Sequence, residues 1–423
     1  MITPARKITL HGMLLQFPYW FGCCTYFAFI ITTLIDNGWS GSTATAAITA
    51  MSVIAMLTQP FIGYISDKLL SEKKLVIILL IVASVCFLLL PLSLASGNMV
   101  LVFINMGGIT MSAAQCGGLI DAWIVGLKQE YPDVNYGLIR GSGSLSFALS
   151  AQVTGMLTIA FGHDVRMWVG GGALIVTLLV ALTFRSARRA VNEETVMDTT
   201  QENLQEESQD EITNTSQEST EKTPAIKLTG IEAIKILFSS KQYNLLLAVS
   251  FFLLLSNTTM LTLIQLLVRD FGGTAAQMGT ATAIMAGSEV PFMFLMALIL
   301  RKIGFKKLLL FCSMVYLVRM LVTASVSTVD GLIYVQMLQG LTYAILIPLS
   351  MSYLSQILDE RIRSTAVTTF ASVTVGLTGI LGNLITATLL ANGFSAQTAL
   401  IVFSLSALIG LFLTVYGIIR KIW

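Results

Sequence analysis

Of the 423 residues, 55% are hydrophobic and only 11% charged, and the mean hydropathy is +0.80. A soluble domain carries roughly 25% charged residues, and a water-soluble chain this apolar would expose large sticky patches. The net charge of +2, with no basic cluster, excludes a nucleic-acid partner.

Met1 to Gln16 contains Arg6 and Lys7 but no small-residue cleavage site, so the first apolar run is expected to remain as a helix. About twenty apolar residues cross a bilayer. On that scale the sequence predicts helices over about 14–35, 45–66, 75–95, 99–123, 138–160 and 166–184, then 244–268, 276–300, 307–326, 331–357, 365–389 and 396–419. Between the two sets runs a polar stretch, Ser186 to Lys227, with ten acidic residues and almost no aromatics. It cannot bury enough apolar surface to offset its ordering entropy. The expected fold is an all-α integral membrane protein with twelve transmembrane helices in two six-helix bundles. The bundles comprise residues 1–185 and 243–423, and an acidic, disordered linker, 186–242, joins them.

Charge bias orients the chain. One side collects nearly all the basic loop residues, from Arg6 and Lys7 through Lys73, Lys74, Arg301, Lys302, Lys306 and Lys307 to Arg420 and Lys421; the other has Arg166 and Arg269. Both termini and the linker are therefore expected in the cytoplasm, with the chain a monomer in the plasma membrane. The halves echo each other: Gly63-Tyr-Ile-Ser-Asp67-Lys68 followed by Lys73-Lys74 corresponds to Ala297-Leu-Ile-Leu-Arg301-Lys302 followed by Lys306-Lys307. Parallel six-helix repeats are a transporter plan.

The five cysteines lie in apolar stretches without metal-ligand spacing. No nucleophile–base grouping or nucleotide-binding loop is evident, and Gly141-x-Gly143 follows no strand. No cofactor, metal or enzymatic activity is expected. His11 and His163 fall near membrane edges, and Met285, Met293 and Met296 read as packing residues.

Four charges fall inside predicted helices: Asp121, Arg140, Glu289 and Arg319. Each costs roughly 2.5–3.5 kcal/mol at mid-bilayer unless paired or hydrated. Glu289 lies twelve residues before Arg301 and Arg319 twelve after Lys307, so both sit ~18 Å from the same edge. Asp121 and Arg140 match at ~10 Å. Two ion pairs are expected, serving either as structural ties or as handlers of substrate and protons. Gln336, Gln339 and Tyr343 are expected on one face of the tenth helix, and Asn257 and Gln265 lie on the seventh.

The word Gln59-Pro-Phe-Ile-Gly63-Tyr-Ile-Ser-Asp67-Lys68 resembles the helix 2–3 gating motif of the major facilitator superfamily, in the form of its lactose permease and sugar-symporter branch. Gly63 is expected to permit close helix packing. Leu119-Ile-Asp121-Ala-Trp123, with Tyr136-Gly-Leu-Ile-Arg140 and Phe147, resembles helices 4 and 5 of that branch. There an acid and an arginine bind sugar hydroxyls and an aromatic ring stacks on the sugar. The resemblance thus implies substrate contacts at Asp121, Arg140 and Phe147 and a proton-coupling pair at Glu289 and Arg319; Gln339 and Tyr343, by their helical spacing, are expected either to join the substrate site as cavity lining or to make interhelical hydrogen bonds. One departure is clear: Gln339 and Thr342 stand where the permeases carry a histidine and a proton-carrying carboxylate.

The expected function is proton-coupled symport of a sugar, oligosaccharide or nucleoside by alternating access. The alternatives are an exporter of the same fold and a receptor that binds without flux.

Overall fold

The computed structural model describes residues 3–185, 230–358 and 360–423. Helices cover each stretch expected to be helical, and the departures lie at ends and breaks. In the first half α1 is Pro4–Phe27, α2 Ile30–Asp36, α3 Gly41–Tyr64, α4 Glu72–Ala95, α5 Met99–Glu130, α6 Tyr136–Phe161 and α7 Val165–Thr183. After the undescribed segment come α8 (Gly230–Ser239), α9 (Lys241–Thr258), α10 (Met260–Asp270), α11 (Ala275–Ile303), α12 (Phe305–Ser325), α13 (Val329–Val335), α14 (Tyr343–Ile357), α15 (Glu360–Ala371), α16 (Thr378–Ala391) and α17 (Ala396–Ile419). Among the described residues ten helices are long and apolar enough to cross a membrane, or eleven if the bent pair α1 and α2 is one span.

The first helix begins some ten residues before the expected start. The Thr3 hydroxyl accepts from the Arg6 N–H at 3.4 Å, and Pro4 occupies the first turn, where a missing donor costs nothing. It then breaks at Ala28–Phe29, where α2 departs by 44°. The seventh expected helix breaks in the equivalent place, at Thr259 between α9 and α10. A 3₁₀ segment, Gln336–Leu341, splits the tenth, and a π-helical turn, Ser372–Leu377, splits the eleventh. The expected linker also ends early: residues 186–229 lie outside the described residues, but Gly230–Ser239 is helical and Leu237 is buried. The run Ile231, Ile234, Leu237, Phe238 has helical spacing, which the acidic composition upstream lacks.

Within the first half α1 packs on α6 and α7, and α4 on α5 and α7; within the second, α17 packs on α9 and α12. The halves meet along two seams, α6 with α11 and α3 with α16. In the first seam Gly155 faces the Ala275 carbonyl and Gly279 faces the Ala151 carbonyl so closely that no Cβ would fit. Small residues on both partners bring the backbones together, the packing device of membrane helices.

The gating word ends α3. Asp67 and Lys68 sit in a π-helical turn, Ile65–Leu69, and their side chains lie outside the description. The close packing expected of Gly63 is not found: a Cβ there would meet nothing within 4 Å. The neighbouring Phe61 and Tyr64 are exposed.

Candidate functional site

Asp121 in α5 and Arg140 in α6 meet, with Arg140 Nε 3.8 Å from Asp121 Oδ2. The contact is single rather than a two-toothed fork, and the Arg140 and Asp121 side chains keep access to solvent at 38% and 28% exposure. α1 completes the cluster. The Gln16 amide donates to Asp121 Oδ1 at 2.7 Å, and the Arg140 guanidinium lies over the Trp20 ring, 4.8 Å from its centroid. Trp20 in turn meets Phe147 edge-on at 6.4 Å. Arg140 and Phe147, seven residues apart on α6, thus converge on one indole. The ring fits because residue 143 is glycine: a Cβ there would collide with Trp20. Sequence reasoning missed Gln16 and Trp20. Their spacing of four residues, a helical repeat that puts them on one face, was the available signal.

The second half holds a drier network. Arg319 is fully buried. One terminal nitrogen donates to Asn257 Oδ1 at 2.7 Å, to Gln339 Oε1 and to the Thr342 hydroxyl; the other donates to Gln336 Oε1 at 3.0 Å. Its Nε finds no partner among the described residues. The expected Glu289–Arg319 ion pair is not formed. The Gln339 amide stands between them, accepting from Arg319 and donating to Glu289 Oε1 at 2.8 Å. The 3₁₀ segment explains the geometry, because residues three apart eclipse in such a helix, and Gln336 and Gln339 both reach Arg319. Tyr343 lies beyond the break, so the single α-helical face expected for these three residues does not exist. Tyr343 is partly buried. Arg140 is carried by α6 and Glu289 by α11, the two helices of the first seam, so both clusters border the same contact between the halves.

At the ends of the helices remote from the chain termini the halves are tied. Asp36, which sequence reasoning passed over, takes Arg166 on Oδ2 at 3.2 Å and Arg269, from the other half, on Oδ1 at 2.9 Å. These are the two basic residues that charge bias set on the sparse side. Arg166 is buried and also donates to Thr32, Thr33 and Thr158. Gln265 of α10 reaches into the α1–α2 break: its oxygen accepts the Ile31 and Thr32 N–H groups at 2.9 and 3.3 Å, and its nitrogen donates to the Phe27 carbonyl at 3.4 Å. Phe29 offers α2 no side-chain cap, so a side chain of the opposite half supplies one. Thr280 donates to Gln152 across the seam at 2.9 Å.

Among the described residues no group of His, Cys, Asp and Glu is arranged to hold a metal ion.

Similarity to known proteins follows the same lines. The chain is 26% identical to the maltose permease of Geobacillus stearothermophilus over 246 residues, 57% of this chain and 53% of that protein. It is 29% identical to the lactose permease of Klebsiella oxytoca over 167 residues, 37% and 38% of the two chains. To the raffinose permease of Escherichia coli it is 34% identical over 179 residues, 39% and 40%. The matched parts thus span about half or less of these relatives. In fold the chain superposes on the nucleoside transporter NupG with a TM-score of 0.72, covering 97% of this chain and 98% of that one at 16% identity. A bacterial homologue of the lysosomal transporter Spinster gives 0.68 at 12% identity, over 97% and 96%. The model of the MFS_1 like family matches residues 19–402, and the chain belongs to that family.

Proposed function

We propose that the chain is a secondary transporter moving a sugar, oligosaccharide or nucleoside through the cavity between its halves, in symport with protons. The observation that carries this reading is the partly solvated Asp121–Arg140 pair, backed by Trp20 and Phe147. A carboxylate and a guanidinium side by side offer acceptors and fixed donors to neighbouring hydroxyls, and aromatic rings suit the apolar face of a sugar or a base. The similar permeases are named for maltose, lactose and raffinose, and the structural neighbour for nucleosides.

Twelve spans follow if α1 with α2 makes one and α11, which is 29 residues long, makes another. The charge bias sets both termini, and the segment 186–229, in the cytoplasm of a monomeric plasma-membrane protein. In that orientation the Asp36, Gln265 and Gln152 ties close the outer end, and alternating access exchanges them for contacts near the gating word. Glu289 is the reading's proton carrier, with Arg319 its counter-charge through Gln339. Reconstitution in liposomes with labelled sugars and nucleosides, with and without a pH gradient, tests it. Accumulation of one solute driven by the gradient supports the reading, and binding without flux overturns it.

A further inference from the structure

We infer that the cavity beside the Asp36 tie is an anion site: it takes a small oxyanion of the phosphate or sulfate kind, which clasps the two halves together. The site stands on its own geometry; its consequence for transport rests on the orientation proposed above. The cavity, of about 340 Å³, is walled by α2, α6 and α7 from the first half and by α10 and α11 from the second. At ~30 Å³ per water it has room for a tetrahedral anion with several waters.

Positive charge is in excess at its wall. Arg166, Arg269, His163 and Asp36 are the titratable residues that line it. Asp36 is the one acid among them and is shared, with Arg166 on Oδ2 at 3.2 Å and Arg269 on Oδ1 at 2.9 Å. Asp164 and Asp270 stand outside the lining, and Asp164 lies against His163 at 3.4 Å. Arg166 is 2% exposed. Its Nε and one terminal nitrogen make all of its hydrogen bonds among the described residues, to Thr158, Thr32, Thr33 and Asp36. The other terminal nitrogen has no acceptor there. Arg269 likewise donates through a single nitrogen, to Asp36. Two guanidinium groups, one from each half, thus keep unused donors at one cavity. A buried donor left unmade is costly, and the guanidinium fork matches the edge of an oxyanion.

The start of α11 adds a third element. The helix begins at the cavity wall, at Ala275, and its capping box engages the Thr274 and Gln277 N–H groups, not those of Ala275 and Ala276. The first turn of so long a helix carries positive partial charge and favours an anion. Arg166 belongs to one half, whereas Arg269 and α11 belong to the other. An anion held among them binds only while these ends of the halves meet, so it shifts the population toward that form by its differential affinity.

The test is equilibrium binding of radiolabelled inorganic phosphate to the purified full-length chain at fixed ionic strength, with sulfate and chloride as competitors. A saturable site is expected, displaced by sulfate at similar concentration and by chloride only at a large excess. Arg269→Gln should weaken binding by about tenfold or more, a charged hydrogen bond's worth. Asp36→Asn, which removes the competing acid, should tighten it, whereas damage to the fold would weaken both. No saturable site, an affinity that neither variant moves, or a loss in both overturns the inference. Displacement of the label by a small fraction of phosphatidylglycerol in the micelle would assign the cradle to a lipid headgroup and overturn the free ion. In cells, external phosphate should slow labelling of a single cysteine at Ser52 by an impermeant thiol reagent from outside. If phosphate binds as expected but slows labelling only from the cytoplasmic side, the orientation falls and the site stands.

Discussion

Gln265→Leu isolates one of the ties between the halves at the end proposed to face outward. Leucine has nearly the same volume but cannot accept from Ile31 and Thr32 or donate to Phe27. In the closed form two N–H groups at the start of α2 lose their cap, one of them on the fully buried Ile31. Losing a cap costs about 0.5–2 kcal/mol, and each buried N–H left unpaired about 1–3. Taking the overlap of these terms, the closed outer end loses ~2–4 kcal/mol. When the halves part, water reaches the same groups and the substitution costs little. The equilibrium should therefore move toward the outward-open form by roughly 30-fold to several hundred-fold, since about 1.4 kcal/mol is tenfold. The assay is a single cysteine at the cavity-lining Ser52, in a background without the five native cysteines, labelled by a membrane-impermeant thiol reagent from outside. Labelling should accelerate strongly in the Leu variant while the protein remains folded in the membrane. An unchanged rate would refute the argument that Gln265 holds the closed end.

Arg140→Lys keeps the charge but loses the guanidinium plane over Trp20 and the fork of donors, so transport should nearly vanish; Phe147→Ala should weaken substrate binding by ~1–3 kcal/mol, by analogy with base stacking on aromatics. The exchange Asp121→Arg with Arg140→Asp separates a structural tie from a binding pair: recovered transport in that double variant would mean that the two residues only latch α5 to α6. Glu289→Gln should abolish accumulation driven by a pH gradient yet spare solute exchange, and persistent accumulation would remove Glu289 from the coupling. Single cysteines placed between residues 192 and 223 should react with an impermeant reagent only after cells are permeabilised; labelling from outside would invert the proposed orientation.

The helices were legible because membrane burial imposes long apolar runs, and loops between them must be polar. The depth arithmetic for Asp121 and Arg140 succeeded for a related reason: two charges at one depth on consecutive helices have few other partners. The same arithmetic brought Glu289 and Arg319 to one level but not into contact. What intervened was the 3₁₀ segment at 336–341, which turned Gln339 between them; nothing in the local sequence except Gly340 hints at it. The α1 break was equally hidden, since its cap comes from Gln265, more than two hundred residues away. Asp36 escaped notice because it ends a helix, where an acid carries no insertion penalty and so raises no alarm. Its role depends on Arg166 of its own half and on the end of α10, which brings Arg269 of the other half opposite it.

The two arginines show how the halves divide their work. Arg319 donates to four neutral acceptors and is sealed from solvent, so its guanidinium has no freedom to meet a solute. Arg140 lies 3.8 Å from one carboxylate through Nε, and its hydrogen bond among the described residues runs from one terminal nitrogen to Ser144 at 3.5 Å. The other terminal nitrogen has no acceptor among the described residues, and in the proposed reading it meets the solute. A buried cation without a bonded anion is costly, and here the nearest compensation for Arg319 is Glu289, relayed by one glutamine amide. Removing negative charge at Glu289 would leave Arg319 uncompensated among neutral partners. In the proposed cycle a proton on Glu289 therefore disturbs the second half, whereas solute on Arg140 disturbs the first. Both disturbances meet at the seam of α6 and α11, which carry Arg140 and Glu289 respectively. In that proposal Glu289 is the acid of the second half that links the two events, and its charge, rather than its shape, is what the Gln variant removes.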